Sequence, residues 1–483
     1  MEIKHSNEQL AIKNEFTIGC EHFIVKAVAG SSKTYTSVLG LNAANSPRML
    51  YCVFNKKMQL SAVEKITNPK VNVATYHSIG FKILLSYWRG VKASSYCEFG
   101  RVKEIEPSAP AIVHFQAAKL VSFLKNTFAT MPTLADAMKT MTERDIDTGK
   151  EVAWAGQKLA ELAIKSIELS LQYPANKTIS FEDMIFTPIL LGFVKPAYTL
   201  VVSDESQDLN APQMAMLKAL CEPKGRICLV GDPNQSIYNF RGTVSNSMAK
   251  FQSEFNAKPF TLSVSFRCPK KIVGLAQLTV PEIQAAPNAI DGEIVSMTND
   301  AMLETIKVNE VILSRTNAPL VKNCLALLRK NKPAYVVGRD IGKQLISLID
   351  GFETNNINEL YTKLDAWLAV KQANVNLWNS NAVAHATDTH ETIRAIAENC
   401  LDVEGLKNKI NSLFMDSEFV RKPSIILSSV HKFKGLENDS IFLLTASFSS
   451  GNRTLTPEQA QEERNIYYVA VTRSKNKLVN VGG

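Results

Sequence analysis

Phe23-Ile24-Val25-Lys26-Ala27-Val28 runs directly into Ala29-Gly30-Ser31-Ser32-Lys33-Thr34. The first six residues are mostly apolar with no alternation, as a strand buried on both faces of a parallel sheet is. The Gly/Ser turn after them opens a helical pattern. Strand, turn and helix in that order form the repeating unit of α/β proteins. The unit recurs. Residues 49–54 lead into a helical stretch, residues 198–202 end at Asp204-Glu205, and residues 227–230 end at Gly231-Asp232. A second series comprises residues 311–313, 334–337, 424–427 and 441–444. Two stretches break the rhythm. Residues 90–180 are mainly helical, with Leu159, Leu162, Ala163, Ile167 and Leu171 on one helical face. Residues 340–422 are again helix-like, with Trp367, Trp378 and an Asn-rich middle. The expected layout is two α/β domains, each interrupted by a helical insertion.

Length and composition bound the possibilities. With 483 residues the chain holds two to four ordinary domains and is no single small module. Apolar residues at 45% and charged ones at 21% are globular, not disordered, proportions. The net charge of +8 permits nucleic-acid binding without requiring it. The eight cysteines (20, 52, 97, 221, 228, 268, 324 and 400) never form a C-x-x-C pair, so no zinc or iron–sulfur spacing exists. Scattered thiols, no signal peptide and no apolar run long enough to span a bilayer give the expectation of a soluble intracellular protein without membrane contact.

Three segments carry chemistry. A bound nucleotide phosphate needs converging backbone N–H groups, a lysine on the β/γ-phosphates and a hydroxyl on Mg²⁺. Lys33 and Thr34 fit the last two needs. The strict pattern G-x-x-x-x-G-K-[ST] has Ala27 and Ser32 in place of both glycines, so read alone the loop also fits an ordinary turn. A serine at a position that prefers glycine costs roughly 1 kcal/mol, which is tolerable. Asp204-Glu205 ends a buried strand, where ligands bind in parallel sheets. Asp204 suits a Mg²⁺ site and Glu205 suits a base for an attacking water; the alternative is a solvated acidic turn. In Gly231-Asp232-Pro233-Asn234-Gln235-Ser236-Ile237-Tyr238-Asn239-Phe240-Arg241-Gly242, Gln235 can sense a γ-phosphate. Tyr238 and Phe240 offer faces for base stacking, or core packing, and Arg241 a positive charge.

These segments resemble motifs I, II and III of superfamily 1 DNA helicases of the UvrD/PcrA/Rep type, and the other motifs follow in order. Asn7-Glu8-Gln9 resembles the Q motif, Asn55-Lys56 motif Ia and Thr75-Tyr76-His77-Ser78 the DNA-contacting T-x-H-S segment. Phe181-Glu182-Asp183-Met184 resembles the F-x-D segment, and Ser265-Phe266-Arg267 resembles motif IV. Ser429-Val430-His431-Lys432-Phe433-Lys434-Gly435-Leu436-Glu437 resembles motif V, and residues 463–473 resemble motif VI. The resemblance implies two RecA-like P-loop NTPase domains with parallel sheets. Domain 1A would comprise 1–90 and 181–262, with helical insertion 1B at 91–180. Domain 2A would comprise 263–339 and 423–483, with a reduced 2B-like insertion at 340–422.

The implied activity is ATP-dependent 3′→5′ translocation on single-stranded DNA and DNA unwinding, with ATP hydrolysed between the two domains. The implied ATP site is Gln9 on adenine, Phe266 stacking on it, Glu437 on the ribose, and Ala29, Gly30, Ser31, Ser32, Lys33 and Thr34 around the phosphates. Thr34 and Asp204 would hold Mg²⁺, Glu205 would be the catalytic base and Gln235 the γ-phosphate contact, with Arg267 and Arg473 as arginine fingers. The implied DNA track is His77, Tyr238, Phe240, Arg241, His431 and Lys434. Its partners would be single-stranded DNA, single/double-strand junctions and replication, repair or recombination proteins, met by a monomer in the cytoplasm or nucleoid. The Q-S-I-Y-x-F-R-G form of motif III carries the polarity.

Departures from the family pattern refine this expectation. Phe54 directly precedes Asn55, a form that resembles F-box-type DNA helicases, so its stacking role does not carry over. The short segment between Asn317 and Ser429 leaves little for a 2B domain, which favours an alternative use as a translocase that strips proteins with little unwinding. A third alternative is a helicase-like DNA-binding subunit that does not hydrolyse ATP; the intact Lys33, Asp204, Glu205, Gln235, Arg267 and Arg473 oppose it. With ten residues after Arg473, the expectation is a chain without a nuclease domain or partner-binding tail, of a compact size that suits a phage or mobile element. The runs Lys56-Lys57 and Lys270-Lys271 read as solvated helix starts.

Overall fold

Strands and helices alternate along the chain, and each strand ladder in the two large sheets is parallel. The computed structural model describes residues 5–144, 146, 148, 152–238, 247–373, 380–416, 422–449 and 455–482; Trp378 lies outside them. The chain divides into two units, Met1–Ser263 and Val264–Gly483.

The first unit is built on a six-stranded sheet. Its spatial order is β3 (Val71–Thr75), β2 (Met49–Val53), β6 (Tyr198–Ser203), β7 (Cys221–Gly231), β1 (Phe23–Ala27) and β8 (Lys258–Leu262). Alternate residues of the central strands enter opposite cores. Ile24, Leu50, Val201 and Leu229 belong to one, and Phe23, Val25, Tyr51, Val202 and Val230 to the other. That two-faced burial is why these strands read as continuous apolar runs, each buried Val, Ile or Leu contributing ~1.5–3 kcal/mol.

Helix starts are set locally. Ser6 and Gln9 form a reciprocal capping box at α1 (Asn7–Ile18), and Asn55 caps α3 (Lys56–Lys65), which leaves Lys56 and Lys57 exposed at a helix start. Thr75 and Ser78 cap α4 (Tyr76–Tyr87) in the same way. At α2 (Lys33–Ala43) the N-cap Ser32 makes no side-chain cap hydrogen bond.

After α4 the chain forms a short parallel pair, β4 (Lys92–Ala93) with β5 (Thr178–Ile179). Between these strands lie α5 (Cys97–Ile105), α6 (Ala111–Thr127), α7 (Leu134–Arg144) and α8 (Gln157–Ser170). They share a core of Val102, Val113, Leu120, Leu124, Leu159, Leu162, Ala163 and Ile167, into which Phe186 of α9 (Asp183–Leu190) also packs. Helix α4 crosses α9 at Gly80, where a Cβ would lie 1.6 Å from the Met184 carbonyl oxygen.

The second unit has a seven-stranded sheet. Its order is β11 (Glu293–Thr298), β17 (Ser474–Gly482), β16 (Asn438–Leu444), β12 (Val311–Ser314), β15 (Ile425–Ser429), β13 (Ala334–Val337) and β14 (Phe414–Met415). A separate short pair joins β9 (Val264–Ser265) to β10 (Gln284–Ala285). Among the described residues the helices Arg339–Asp350, Ile357–Ala373, Ser380–Ala397 and Val403–Leu413 pack into the core of this sheet. Their Leu345, Leu360, Ile393, Leu406 and Ile410 share one cluster with Ile312, Val336 and Leu427 of the sheet. No described helix is long and apolar enough to cross a membrane.

Candidate functional site

The turn after β1 passes through positive φ at two residues. Gly30 has φ 73°, and Ser32 is left-handed at φ 63°, ψ 39°. The glycine that the strict phosphate-loop pattern places at 32 is thus replaced by a strained serine, at a cost of about 1 kcal/mol. Ala29 and Ser31 are buried, and the Ser31 hydroxyl has no hydrogen-bond partner. The start of α2, without a side-chain cap, is an N-terminus of the kind that receives anions.

The carboxyl end of β6 lies against this turn. The buried Asp204 accepts from Thr34 Oγ1 at 2.8 Å and from Tyr51 Oη at 2.7 Å, both at Oδ2, and its Oδ1 accepts the Glu205 N–H at 2.9 Å. Lys33 Nζ is 3.5 Å from Glu205 Oε1. Glu205 is itself left-handed, at φ 50°. From it a polar chain runs to the end of β7. Gln207 donates Nε2–H to Glu205 Oε2 at 2.6 Å and accepts the Asp232 N–H on Oε1 at 3.0 Å. Gly231 makes room for this contact, since a Cβ there would lie 2.3 Å from Gln207 Oε1. Gln235 donates to Asp232 Oδ2 at 2.6 Å.

The electrostatics are unbalanced. Burial raises the Asp204 carboxyl above the ordinary carboxylate range, and the Glu205 charge adds to this, against the pull of Lys33 and the Tyr51 and Thr34 hydrogen bonds. Burial pushes Asp232 up to about 6, although Lys33 and Gln235 act in the other direction. The Tyr51 phenol is raised far above its usual value by burial and by Asp204.

Buried carboxyls raised above their usual range are suited to a cation that would restore their charge. Among the described residues no group of three or more His, Cys, Asp or Glu forms a metal cage. Mg²⁺ needs none: it takes one or two carboxylates beside substrate phosphates and water. Asp204 and Thr34 oxygens within 2.8 Å of each other meet that need, and the orphan Ser31 hydroxyl and uncapped α2 start suit phosphate oxygens.

The remaining residues expected from the sequence lie in two groups. In the first unit, buried Gln9 is used locally: its Oε1 accepts the Ser6 N–H at 3.0 Å and its Nε2 donates to Thr36 Oγ1 at 3.4 Å. His77 lies in the first turn of α4, its ring 6.4 Å from that of Phe181. Burial lowers its pKa while the Glu182 charge raises it. Tyr238 follows the short 3-10 turn Pro233–Gln235 and is partly buried; Phe240 and Arg241 lie outside the described residues. In the second unit Arg267 pairs with Glu437, and Phe266 is 51% exposed. Arg473 is buried and donates to the Val469 carbonyl at 2.8 Å, the Leu436 carbonyl at 3.3 Å and Thr472 Oγ1 at 3.2 Å. His431 lies in the one-turn helix Val430–Phe433, and Lys434 is its C-cap.

Lys33, Thr34, Asp204, Glu205 and Gln235 are therefore gathered at one end of one sheet. Tyr51, Gln207 and Asp232 are further members. Tyr51 was detectable in the sequence, because a tyrosine in an otherwise apolar strand must find a partner for its hydroxyl. The partnership of Gln207 with the Asp232 backbone depends on how two loops approach and has no sequence signal.

Fold and site together define a P-loop NTPase with RecA-like parallel sheets. The UvrD/REP helicase N-terminal domain profile matches residues 7–256, and the UvrD-like helicase C-terminal domain profile matches residues 375–480. The chain belongs to the UvrD/REP helicase family. It is 26% identical over 288 residues to YjcD of Bacillus subtilis, covering 53% of this chain and 36% of that one. It is 32% identical over 110 residues to the ATP-dependent DNA helicase PcrA of Bacillus subtilis, covering 21% of this chain and 15% of PcrA. To DNA helicase II of Escherichia coli it is 26% identical over 160 residues, covering 31% and 22%. The matched part thus spans between 15 and 36% of the length of these relatives.

Proposed function

We propose that this chain is an ATP-driven single-stranded DNA translocase and DNA helicase that moves 3′→5′. The observation that carries the reading is the junction of Lys33, Thr34, Asp204 and Glu205, with Gln235 tied to it through Gln207 and Asp232. Lys33 neutralises β/γ-phosphate charge. Glu205, held by Gln207, orients the attacking water and takes its proton. Gln235 reports the γ-phosphate to Tyr238, a few residues on, and so to the DNA track of His77, His431, Lys434, Phe240 and Arg241. Thr34 and Asp204 would hold Mg²⁺, which when bound neutralises phosphate charge. Gln9, Phe266 and Glu437 take the nucleoside, and Arg267 and Arg473 stabilise transition-state charge as arginine fingers.

The domain reading follows the two sheets: 1–90 with 181–262 as domain 1A, 91–180 as 1B, and 263–339 with 423–483 as 2A. Segment 340–422 is a reduced 2B-like insertion. A second reading, protein stripping with little unwinding, is favoured by the helices of 340–416, which are absorbed into the core of the second sheet. A motor with no separate duplex-holding body must open base-pair steps worth about 1.4 kcal/mol each without that help. Short duplexes with a 3′ or a 5′ single-stranded tail separate these possibilities. Opening from the 3′ tail alone, with yield falling as the duplex lengthens, is expected. Opening from the 5′ tail alone would reverse the polarity, and efficient opening of long duplexes would remove the second reading.

A further inference from the structure

Four charged side chains lie buried together away from the phosphate site. Lys125 of α6 donates to Asp183 Oδ1 at 2.5 Å and to Glu98 Oε1 at 2.7 Å. Arg101 of α5 donates to Asp183 Oδ2 at 2.7 Å and to Glu98 Oε2 at 2.6 Å. Asp183 also accepts the Ser180 N–H at 2.9 Å, and Ser180 Oγ accepts the Asp183 N–H at 3.0 Å. Lys125 and Asp183 are fully buried, and Glu98 and Arg101 nearly so. Two cations thus meet two anions, each anion touching both cations.

Such a cluster is a costly way to stabilise a fold. Desolvating four charges offsets most of their attraction, and apolar replacements of similar volume are often neutral or better. The cluster does something an apolar core cannot: it fixes one turn in one place. Residues 180–183 return the chain from the helical insertion to α9, and both oxygens of Asp183 are held from two insertion helices. Within the same turn Glu182 accepts from Ser122 of α6 at 2.6 Å, and Phe181 faces His77 across 6.4 Å while remaining 49% exposed.

We propose that Lys125, Arg101 and Glu98 are positioning residues for DNA binding, which act by clamping the turn 180–183 beside His77. The inference rests on the reading of His77 as part of the DNA track. Because the clamp touches neither Lys33 nor the acid pair, it sets how well DNA is held and leaves nucleotide handling alone.

The test uses the full chain and a variant in which the whole cluster is made neutral: Glu98→Gln, Arg101→Met, Lys125→Met and Asp183→Asn. ATP hydrolysis is measured against the concentrations of ATP and of a dT oligonucleotide, with a thermal melt of each protein. Expected is a cooperative melt, with KM for ATP and kcat at saturating DNA unchanged. The DNA concentration for half-stimulation should rise about tenfold, the size of one lost base-stacking contact. A purely structural cluster would instead scale kcat with the folded fraction and leave the half-stimulating concentration in place, and that result overturns the proposal. Should the fourfold variant not fold, Asp183→Glu keeps the charge but displaces the turn by one methylene. It is expected to raise the half-stimulating concentration in the same way, and a wild-type value for it overturns the proposal equally. His77→Ala in parallel separates the two readings. If wild-type turnover responds to DNA and His77→Ala weakens that response but the cluster variants do not, the clamp alone is wrong. If His77→Ala has no effect, the reading of the DNA track fails and takes the clamp with it.

Discussion

Two fully buried aspartates of the same unit, Asp183 and Asp204, have opposite electrostatic fates. Asp183 is met by Lys125 and Arg101, which hold its carboxyl well below the usual carboxylate range in spite of burial. Asp204 has a second carboxylate, Glu205, as its neighbour, and burial first and that charge second push its carboxyl up against the pull of Lys33. The first cluster is electrically closed within the chain. The second has its hydrogen bonds in place but holds carboxyls whose charge burial disfavours, and under the proposed function a cation and a nucleotide complete it. The contrast shows that buried charge alone does not mark a reactive site; unbalanced buried charge does.

The largest expected effects break the open cluster. Lys33→Ala removes the ammonium beside Glu205 and should weaken ATP binding and abolish turnover. Glu205→Gln leaves Lys33 in place and should bind ATP while turnover falls by about 10³-fold or more, as loss of a group acting only in the transition state does. A binding assay beside steady-state hydrolysis checks both; wild-type turnover in Glu205→Gln would remove the base assignment.

Stability should separate the clusters next. Lys125→Met leaves Asp183 and Glu98 with Arg101 alone, and breaking a buried network in this way costs about 3–5 kcal/mol. Asp204→Asn removes a charge that burial and Glu205 already disfavour, so in nucleotide-free protein without Mg²⁺ it should leave the melting temperature unchanged or raised, while turnover is lost. Equal losses of stability in the two variants would erase the distinction between closed and open clusters.

The pH dependence has a sign for each. Asp232, raised to about 6, takes up a proton in the folded protein before it does so in the unfolded chain. Between about pH 7 and pH 4 it therefore makes the nucleotide-free protein more stable as pH falls. Asp183 works the other way. Its contribution is complete above the ordinary carboxylate value and is lost as pH falls toward its depressed folded value. Melting temperatures across this range should show a smaller acid-side gain in Asp232→Asn than in wild type, since Asp204, also raised, contributes to both. The smallest effect belongs to the phosphate turn itself: Ser32→Gly relieves a left-handed serine and should stabilise the protein by about 1 kcal/mol, measurable by urea unfolding.

The same contrast explains what the sequence made legible. The central strands β1, β2, β6, β7, β12, β13, β15 and β16 were readable because their middles are buried on both faces and are mostly apolar. Strands β3, β8 and β11 alternate between polar and half-buried residues, and went unread until the ladders were seen. The phosphate turn and acid pair were legible because chemistry fixes their residue types and spacing. The closed cluster was hidden, since its members lie 85 positions apart from Glu98 to Asp183 and only their packing unites them. One sign was present: Lys125 falls on the apolar stripe of α6 with Ala117, Leu120, Val121 and Leu124, where a solvated lysine has no place.

Under the proposed function the open cluster is completed by ATP and works in response to DNA. Steady-state ATP hydrolysis, with Mg²⁺, measured with and without single-stranded DNA, tests it most directly. DNA should raise turnover by about tenfold or more, and Glu205→Gln should remove the stimulated rate. An equal rate with and without DNA, or a stimulated rate that survives Glu205→Gln, would contradict it.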